Sequence, residues 1–358
     1  MSKKYKDNLF DIRYLKYSYR IARSFLKKLL VLPFYNSLVI KIQKTKCTDI
    51  HNKYYLSTDH VGDTFIALSI LENSKEYFLE KESHIPIIYK GYEDLMFYFP
   101  RLSQNYLTWG DEKTILSNSK ELAEFNGIIT LSSKFKIIIG IKERVKYKNL
   151  KVLGYKFKHI NEFIRNLTVR EELYNARIDN YFKFILGLPF SIPTKLLNEK
   201  NYFSPKSLNF IKQHGLIERK TVILSPYSNS ALHSRTSENI MMFEKIAKLL
   251  NSKGYMVCTN VDIKNPIPIK GTIPISPSLD IIVDVAELCG YVIAYRSGFT
   301  DLVANSNAKI FVYYPKMHIF PNIRFYNYTS LSKIYDRPDI VEIEGDMEKF
   351  VEIVKNSF

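Results

Sequence analysis

The stretch Tyr291–Pro315, YVIAYRSGFTDLVANSNAKIFVYYP, constrains the fold of this chain more than any other part of it. It reads as an apolar strand over Tyr291–Tyr295, a tight turn at Arg296-Ser297-Gly298, a short helix opening near Phe299, and a second apolar strand over Lys309–Tyr314. A strand that turns through Ser-Gly into a helix leaves backbone N–H groups unpaired at the helix start, and those groups together with the helix dipole favour a phosphate. Turns of this kind stand at the carboxyl ends of parallel strands, where open α/β sheets bind ligands. A plain βαβ connection without a ligand also satisfies these residues, because Ser-Gly is a common turn.

The same alternation runs through the rest of the chain. In the first half, strands are expected at Lys53–Ser57, Ile85–Tyr89, Asn105–Thr108 and Gly127–Leu131, with a polar turn over Thr58–Asp63. Helices are expected from Thr64, over Glu93–Phe99 and within Asn161–Lys183. In the second half, Thr221–Ser225 and Tyr255–Asn260 read as strands. Ser237 is placed to cap a helix that ends near Ser252, with Gly254 closing it. A further helix carries Ile281, Val285 and Leu288 on one stripe. The natural architecture is α/β: two Rossmann-like α/β/α domains facing a cleft. A length of 358 residues exceeds one typical core. The expected division is an arm at 1–46, a first domain at 47–190, a Pro-containing linker at 191–207 and a second domain at 208–358.

Charge is concentrated at one end. Of the net +16, residues 1–46 carry ten: twelve Lys and Arg against Asp7 and Asp11. Within them Phe10, Tyr14, Tyr17, Ile21, Phe25 and Leu29 recur at helical spacing, with cations on the other faces, and Pro33 ends the run. No uncharged stretch is long enough to span a bilayer, and no small-residue cleavage site follows an apolar core. A basic amphipathic N-terminal helix with aromatics suits an anionic membrane surface. It also suits docking on the protein's own body. A uniformly basic body would favour nucleic acid; a basic arm on a mildly basic body favours a tether. The three cysteines, Cys47, Cys258 and Cys289, are widely spaced and odd in number, so neither a disulfide frame nor a zinc site is supported. A reducing compartment fits them. The histidines show no ligand spacing, and no metal site is expected.

Candidate chemistry falls in three turns. At the first is His60-Val61-Gly62-Asp63-Thr64. Gly62 lets the backbone approach a ligand, and Asp63 at a helix start can take a proton from an acceptor hydroxyl, or simply cap the helix. In the loop after the strand Thr221–Ser225, Ser228, Asn229 and Ser230 can bond phosphate oxygens and Arg235 can clamp two of them. In the third, Arg296, Ser297, Gly298 and Thr300 offer a cation, a turn and a hydroxyl. Asp301 can hold a sugar hydroxyl or neutralise the helix start.

The pairing of His-Val-Gly-Asp-Thr in one half with Arg-Ser-Gly-Phe-Thr-Asp-Leu in the other resembles the GT-B glycosyltransferases, specifically the heptosyltransferase-like enzymes of glycosyltransferase family 9. That resemblance implies that Asp63 is the catalytic base with Gly62 beside it. It also implies that the late motif, Asp-Ser-Gly-x-x-His-Leu in the family, holds the donor's diphosphate. Ser297, Gly298 and Leu302 match that motif, whereas Arg296 stands for its Asp and Asp301 for its His. Arg296 is suited to a phosphate or an acidic sugar, so the fold and the inverting displacement carry over and an ADP-heptose donor does not.

The expected activity is an inverting, metal-independent glycosyltransferase that needs no cofactor. It moves a sugar from a nucleotide-sugar donor to a lipopolysaccharide, capsule or other cell-surface glycan. The arm keeps the protein cytoplasmic and peripheral on the inner membrane face. The alternatives are a nucleotide-sugar epimerase on the same fold, which would draw on His60, His233 and His318, and a non-enzymatic basic protein binding nucleic acid or an anionic membrane. The glycosyltransferase reading requires Asp63 and the Ser297–Gly298 bend to face each other across one shared gap.

Overall fold

A computed structural model describes residues 53–56, 60–77, 84–109, 128–130, 152–154, 177–186, 188–196, 203–229, 232–320 and 323–358. The basic arm at 1–46, Cys47, Ser230 and most of the expected helix at 161–183 lie outside the described residues.

The chain builds two parallel sheets. The first has five strands in the order β3-β2-β1-β4-β5: β1 Lys53–Leu56, β2 His84–Tyr89, β3 Leu107–Trp109, β4 Ile128–Thr130 and β5 Val152–Gly154. Helix α1, Val61–Asn73, follows β1. The second sheet has six strands in the order β13-β10-β9-β6-β7-β8: β6 Thr221–Ser225, β7 Met256–Asn260, β8 Ile273–Ile275, β9 Gly290–Tyr295, β10 Lys309–Tyr314 and β13 Val341–Glu344. Every pairing within the two sheets is parallel. In the second sheet β6 pairs β9 with Ile223 opposite Val292, and β10 pairs β9 with Phe311 opposite Ile293. These central strands are continuous apolar runs because helices cover both of their faces.

The second sheet is flanked by α3 Pro205–Gln213, α4 Ser237–Ser252, α5 Ile282–Cys289, α6 Gly298–Val303 and α9 Met347–Ser357. Between β10 and β13 lie the short antiparallel pair β11 His318–Phe320 and β12 Ile323–Arg324, then α7 Phe325–Thr329 and α8 Leu331–Ile334. Local chemistry sets the helix ends. Ser204 Oγ accepts from Ser207 N, and Pro205 occupies the first helical position, where a missing N–H costs nothing. Helix α4 is capped one residue earlier than the sequence suggests, by Thr236, whose hydroxyl accepts from Asn239 N at 3.3 Å. Pro205 opens a helix inside the stretch read as linker, and Glu93–Tyr98 forms a 3₁₀ rather than an α-helix.

Two apolar clusters result. One, around α4 and α9, covers the outer face of the second sheet with Phe243, Ile246, Leu250, Phe350 and Val354. The other runs from Phe65, Ile66 and Leu68 on α1 to Val285 on α5 and Leu302 on α6. Helix α1 is apolar on every side and buried from Thr64 to Leu71, as expected of a helix with packing partners all round. Its one mid-helix hydroxyl, Ser69, donates to Phe65 O at 2.8 Å. Cys258 and Cys289 are fully buried free thiols, and burial pushes them up to about 11 and about 12.

The segment Leu188–Leu196 straps the two sheet systems together. Asn73 Nδ2 on α1 donates to Pro193 O and Lys195 O at 2.9 Å each, and Leu196 N donates to Asn305 Oδ1 just beyond α6. Helix α2, Ile178–Leu186, anchors the strap through a buried Lys183, which donates to Asp179 Oδ2 at 3.0 Å and to Phe190 O at 3.3 Å. Burial holds the Lys183 amine below its ordinary value, opposed by the Asp179 carboxylate.

Candidate functional site

The loops at the carboxyl ends of β6, β7, β8 and β9 open on one cavity of about 620 Å³. Ser225, Tyr227 and Asn229 come from the first loop. Asn260, Asp262 and Lys264 come from the second, and Ser276, Pro277 and Leu279 from the third. The fourth contributes Arg296, Ser297 and Gly298. The opposite wall is built by the start of α1, with His60, Val61, Gly62 and Asp63, and by Tyr181 and Phe182 of α2. Tyr92, Phe325 and Tyr328 add aromatic surface. A parallel sheet places all these loops together because its strands end on the same edge.

The strand-turn-helix at β9 forms as the sequence suggests, but its arginine faces inward. Arg296 and Asp301 are both buried, and the guanidinium grips the carboxylate with two bonds of 2.8 Å. The remaining donors go to Thr329 O at 2.9 Å, Ser297 O at 2.6 Å and Thr300 Oγ1 at 3.1 Å. Burial pushes the guanidinium down and the adjacent carboxylate raises it by more, so Arg296 is held charged. The cation expected to meet a phosphate is therefore engaged within the chain, and so is the Asp301 carboxylate expected to hold a sugar hydroxyl. Thr300 caps the turn, its hydroxyl donating to Ser297 O and accepting from Ser297 N. The Ser297 hydroxyl, by contrast, is buried and makes no hydrogen bond in the chain.

Gly62 and Gly298 bring α1 and α6 into backbone contact. A Cβ on Gly62 would lie 2.3 Å from Asp301 Oδ2 and 2.7 Å from Gly298 Cα, and a Cβ on Gly298 would lie 2.7 Å from Gly62 N. The Gly-Asp turn and the Ser-Gly bend thus meet directly, and the cavity opens beside their junction. Asp63, half-buried in the first turn of α1, lines it.

The loop after β6 is only partly in the site. Asn229 lines the cavity, accepting from Arg235 Nη2 at 3.3 Å and donating to Asp262 Oδ2 at 3.2 Å. Arg235 is exposed and is not part of the wall. Ser228 is buried, its N–H donating to Ser234 Oγ at 3.0 Å. His318 lies outside the wall.

Sequence reasoning passed over Asp262, Lys264, Tyr181 and Phe182. The signal for the first two was present: they follow the apolar strand β7 just as Asn229 follows β6. The two aromatics belong to a helix whose inward side only tertiary packing reveals. The Asp262 carboxylate organises its loop, accepting from Lys264 N at 2.7 Å and Asn265 N at 2.8 Å. Asn265 Nδ2 donates to Asn229 Oδ1 at 3.0 Å, which joins the loops after β6 and β7. Among the described residues no cluster of His, Cys, Asp and Glu is arranged to hold a metal ion, and no helix is long and apolar enough to cross a membrane.

No protein-family model matches the chain, and no curated protein is similar to it in sequence. Solved structures do share its fold. A glycosyl transferase family 9 protein from Veillonella parvula is 13% identical, with a TM-score of 0.53 over 87% of this chain and 93% of the other. The ADP-heptose LPS heptosyltransferase II of E. coli is 12% identical, with a TM-score of 0.56 over 86% of this chain and 99% of the other.

Proposed function

We propose that this chain is a GT-B glycosyltransferase that moves a sugar from a nucleotide-sugar donor to a cell-surface glycan such as lipopolysaccharide, with inversion at the anomeric carbon. One observation carries the reading. Asp63, at the start of α1, lines the same cavity as the Ser297–Gly298 bend at the carboxyl end of β9. The two short motifs lie more than 200 residues apart in the chain, and the fold brings them into contact. The likeness of fold to a family 9 glycosyl transferase and to a heptosyltransferase supports the same reading.

In this reading the residues 47–190 form an acceptor domain and 208–358 a donor domain, joined through 191–207. The donor lies along the loops after β6, β7 and β9. The Ser297 hydroxyl, without a partner in the chain, donates to a phosphate oxygen, and Asn229 assists from the loop after β6. The aromatic walls at Tyr181, Phe182 and Tyr328 give flat faces for the sugar and base rings.

Asp63 accepts the proton of the acceptor hydroxyl. The hydroxyl oxygen attacks the anomeric carbon and forms the new glycosidic bond. The bond from that carbon to the phosphate oxygen breaks, and its electron pair leaves with the nucleotide. One displacement inverts the configuration. The departing charge is met by donors of the chain in place of a metal. The arm at 1–46 holds the protein at the inner face of an anionic membrane, near a lipid-linked acceptor.

The test is sugar transfer from a panel of nucleotide sugars to lipopolysaccharide-type acceptors, with the product's anomeric configuration read by NMR and with chelator present. Asp63→Ala and Asp63→Asn should lose transfer by at least about a hundredfold while keeping the unfolding temperature. Full transfer by either variant would reject the base assignment. Formation of a free altered sugar nucleotide without acceptor would favour the epimerase instead.

A further inference from the structure

We infer that the anionic end of the donor is met by Lys264, on the loop after β7, and not by the arginine of the β9 turn. This rests on the nucleotide-sugar reading above and names the group that handles the charge of its leaving nucleotide.

The argument is a charge balance over the cavity wall. The charged side chains among its described residues are Asp63, Asp262, Lys264, Arg296 and Asp301. Arg296 and Asp301 are buried and neutralise each other through their paired 2.8 Å bonds. Without Lys264 the wall would present only the carboxylates of Asp63 and Asp262, and it would repel a nucleoside diphosphate. Arg235, the other cation proposed for this role, stands outside the wall with its guanidinium against Asn229.

The loop also presents Lys264 in a particular way. Asp262 accepts from the N–H groups of Lys264 and Asn265, and Asn265 and Asn229 are bonded side chain to side chain. The backbone of the loop is therefore held against the donor-side wall. The Lys264 side chain is exposed, so its ammonium can swing onto a ligand. A lysine on a flexible stem handles phosphate as a point charge, and it tolerates the change in geometry as the leaving group departs.

The experiment measures thermal stabilisation of the full-length protein by ADP, GDP, UDP and CDP, each against its monophosphate and its nucleoside. The proteins are the wild type and the Lys264→Arg, Lys264→Ala, Lys264→Glu and Arg235→Ala variants. The wild type should bind at least one diphosphate more tightly than its monophosphate. Lys264→Ala should weaken that diphosphate about tenfold, the worth of one charge-assisted hydrogen bond, and should narrow its advantage over the monophosphate. Lys264→Arg should keep the affinity, Lys264→Glu should abolish it, and Arg235→Ala should change it by less than about twofold. Diphosphate affinity unchanged in both Lys264→Ala and Lys264→Glu would overturn the inference and leave the donor reading standing. An equal loss for nucleoside, monophosphate and diphosphate would overturn it too, because that pattern reports a reshaped loop. A wild type stabilised by no nucleotide would remove the donor reading itself, and the inference with it.

Discussion

Gly62 and Gly298 touch backbone to backbone, so that the helix carrying Asp63 starts against the helix that follows the Ser297 turn. Neither glycine is required by its backbone angles; each is required by space. Gly62→Ala places a methyl 2.3 Å from the Asp301 carboxylate and 2.7 Å from the Gly298 Cα. The carboxylate is pinned by Arg296 and the Cα cannot yield, so α1 and α6 must separate. We expect a loss of about 1–3 kcal/mol in chemical denaturation, typical of overpacking. Gly298→Ala, which meets Gly62 N at 2.7 Å, should cost a similar amount. Wild-type stability in both variants would contradict the contact.

The Arg296–Asp301 pair predicts a steep single-variant cost and a smaller double-variant one. Removing one partner leaves the other buried and uncompensated, at about 3–5 kcal/mol. Arg296→Met and Asp301→Leu should each fall in that range by urea unfolding. The double variant should be markedly less destabilised than the sum of the two, because no charge is then left behind. Additive costs would mean that the two residues act independently.

Arg337 is a second internal clamp. Its guanidinium donates to the backbone oxygens of Ala304 at 3.0 Å and Ala308 at 3.3 Å and to that of Ser306, holding the turn between α6 and β10. Arg337→Ala orphans those carbonyls, and a loss of about 2–4 kcal/mol is expected. Hydrogen exchange should quicken first at residues 304–308. Uniform quickening across the second sheet, with no local excess, would argue against a local clamp.

Asp339 should give a small acid-dependent stability. Its hydrogen bonds to Arg337 hold its carboxyl below the ordinary 3.8, against a weaker upward push from burial. A depressed folded value means that the contribution is complete above about pH 4 and is lost as pH falls through the lower folded value. The group is largely exposed, so the effect is modest. Asp339→Asn should therefore lower the unfolding temperature at pH 6–7 slightly and show no difference from wild type near pH 2. A gap between the two proteins that widens on acidification would have the wrong sign.

The amino-acid sequence by itself determined the alternation of apolar strands with helices. The runs TVILS, MVCTN, YVIAY and KIFVYY are buried on both faces wherever they stand in a parallel sheet, and their turns must then share one edge. That is why Thr221–Ser225, Lys309–Tyr314 and the turn at Arg296–Gly298 were legible to the residue, and why Asp63 and Ser297 could be expected at one site. Tertiary structure alone decided what those side chains do there. Arg296 and Asp301 are five residues apart, and a helical turn brings them within reach of each other. Only the burial that excludes water, with Thr329 O waiting behind, turns them toward each other and away from a ligand. The glycines show the same division: the sequence marks flexible turns, whereas the packing of α1 on α6 converts that freedom into a need for zero side-chain volume. Lys264 came to the cavity because Asp262 folded its loop, a local bond whose consequence depends on which strand edge the loop hangs from.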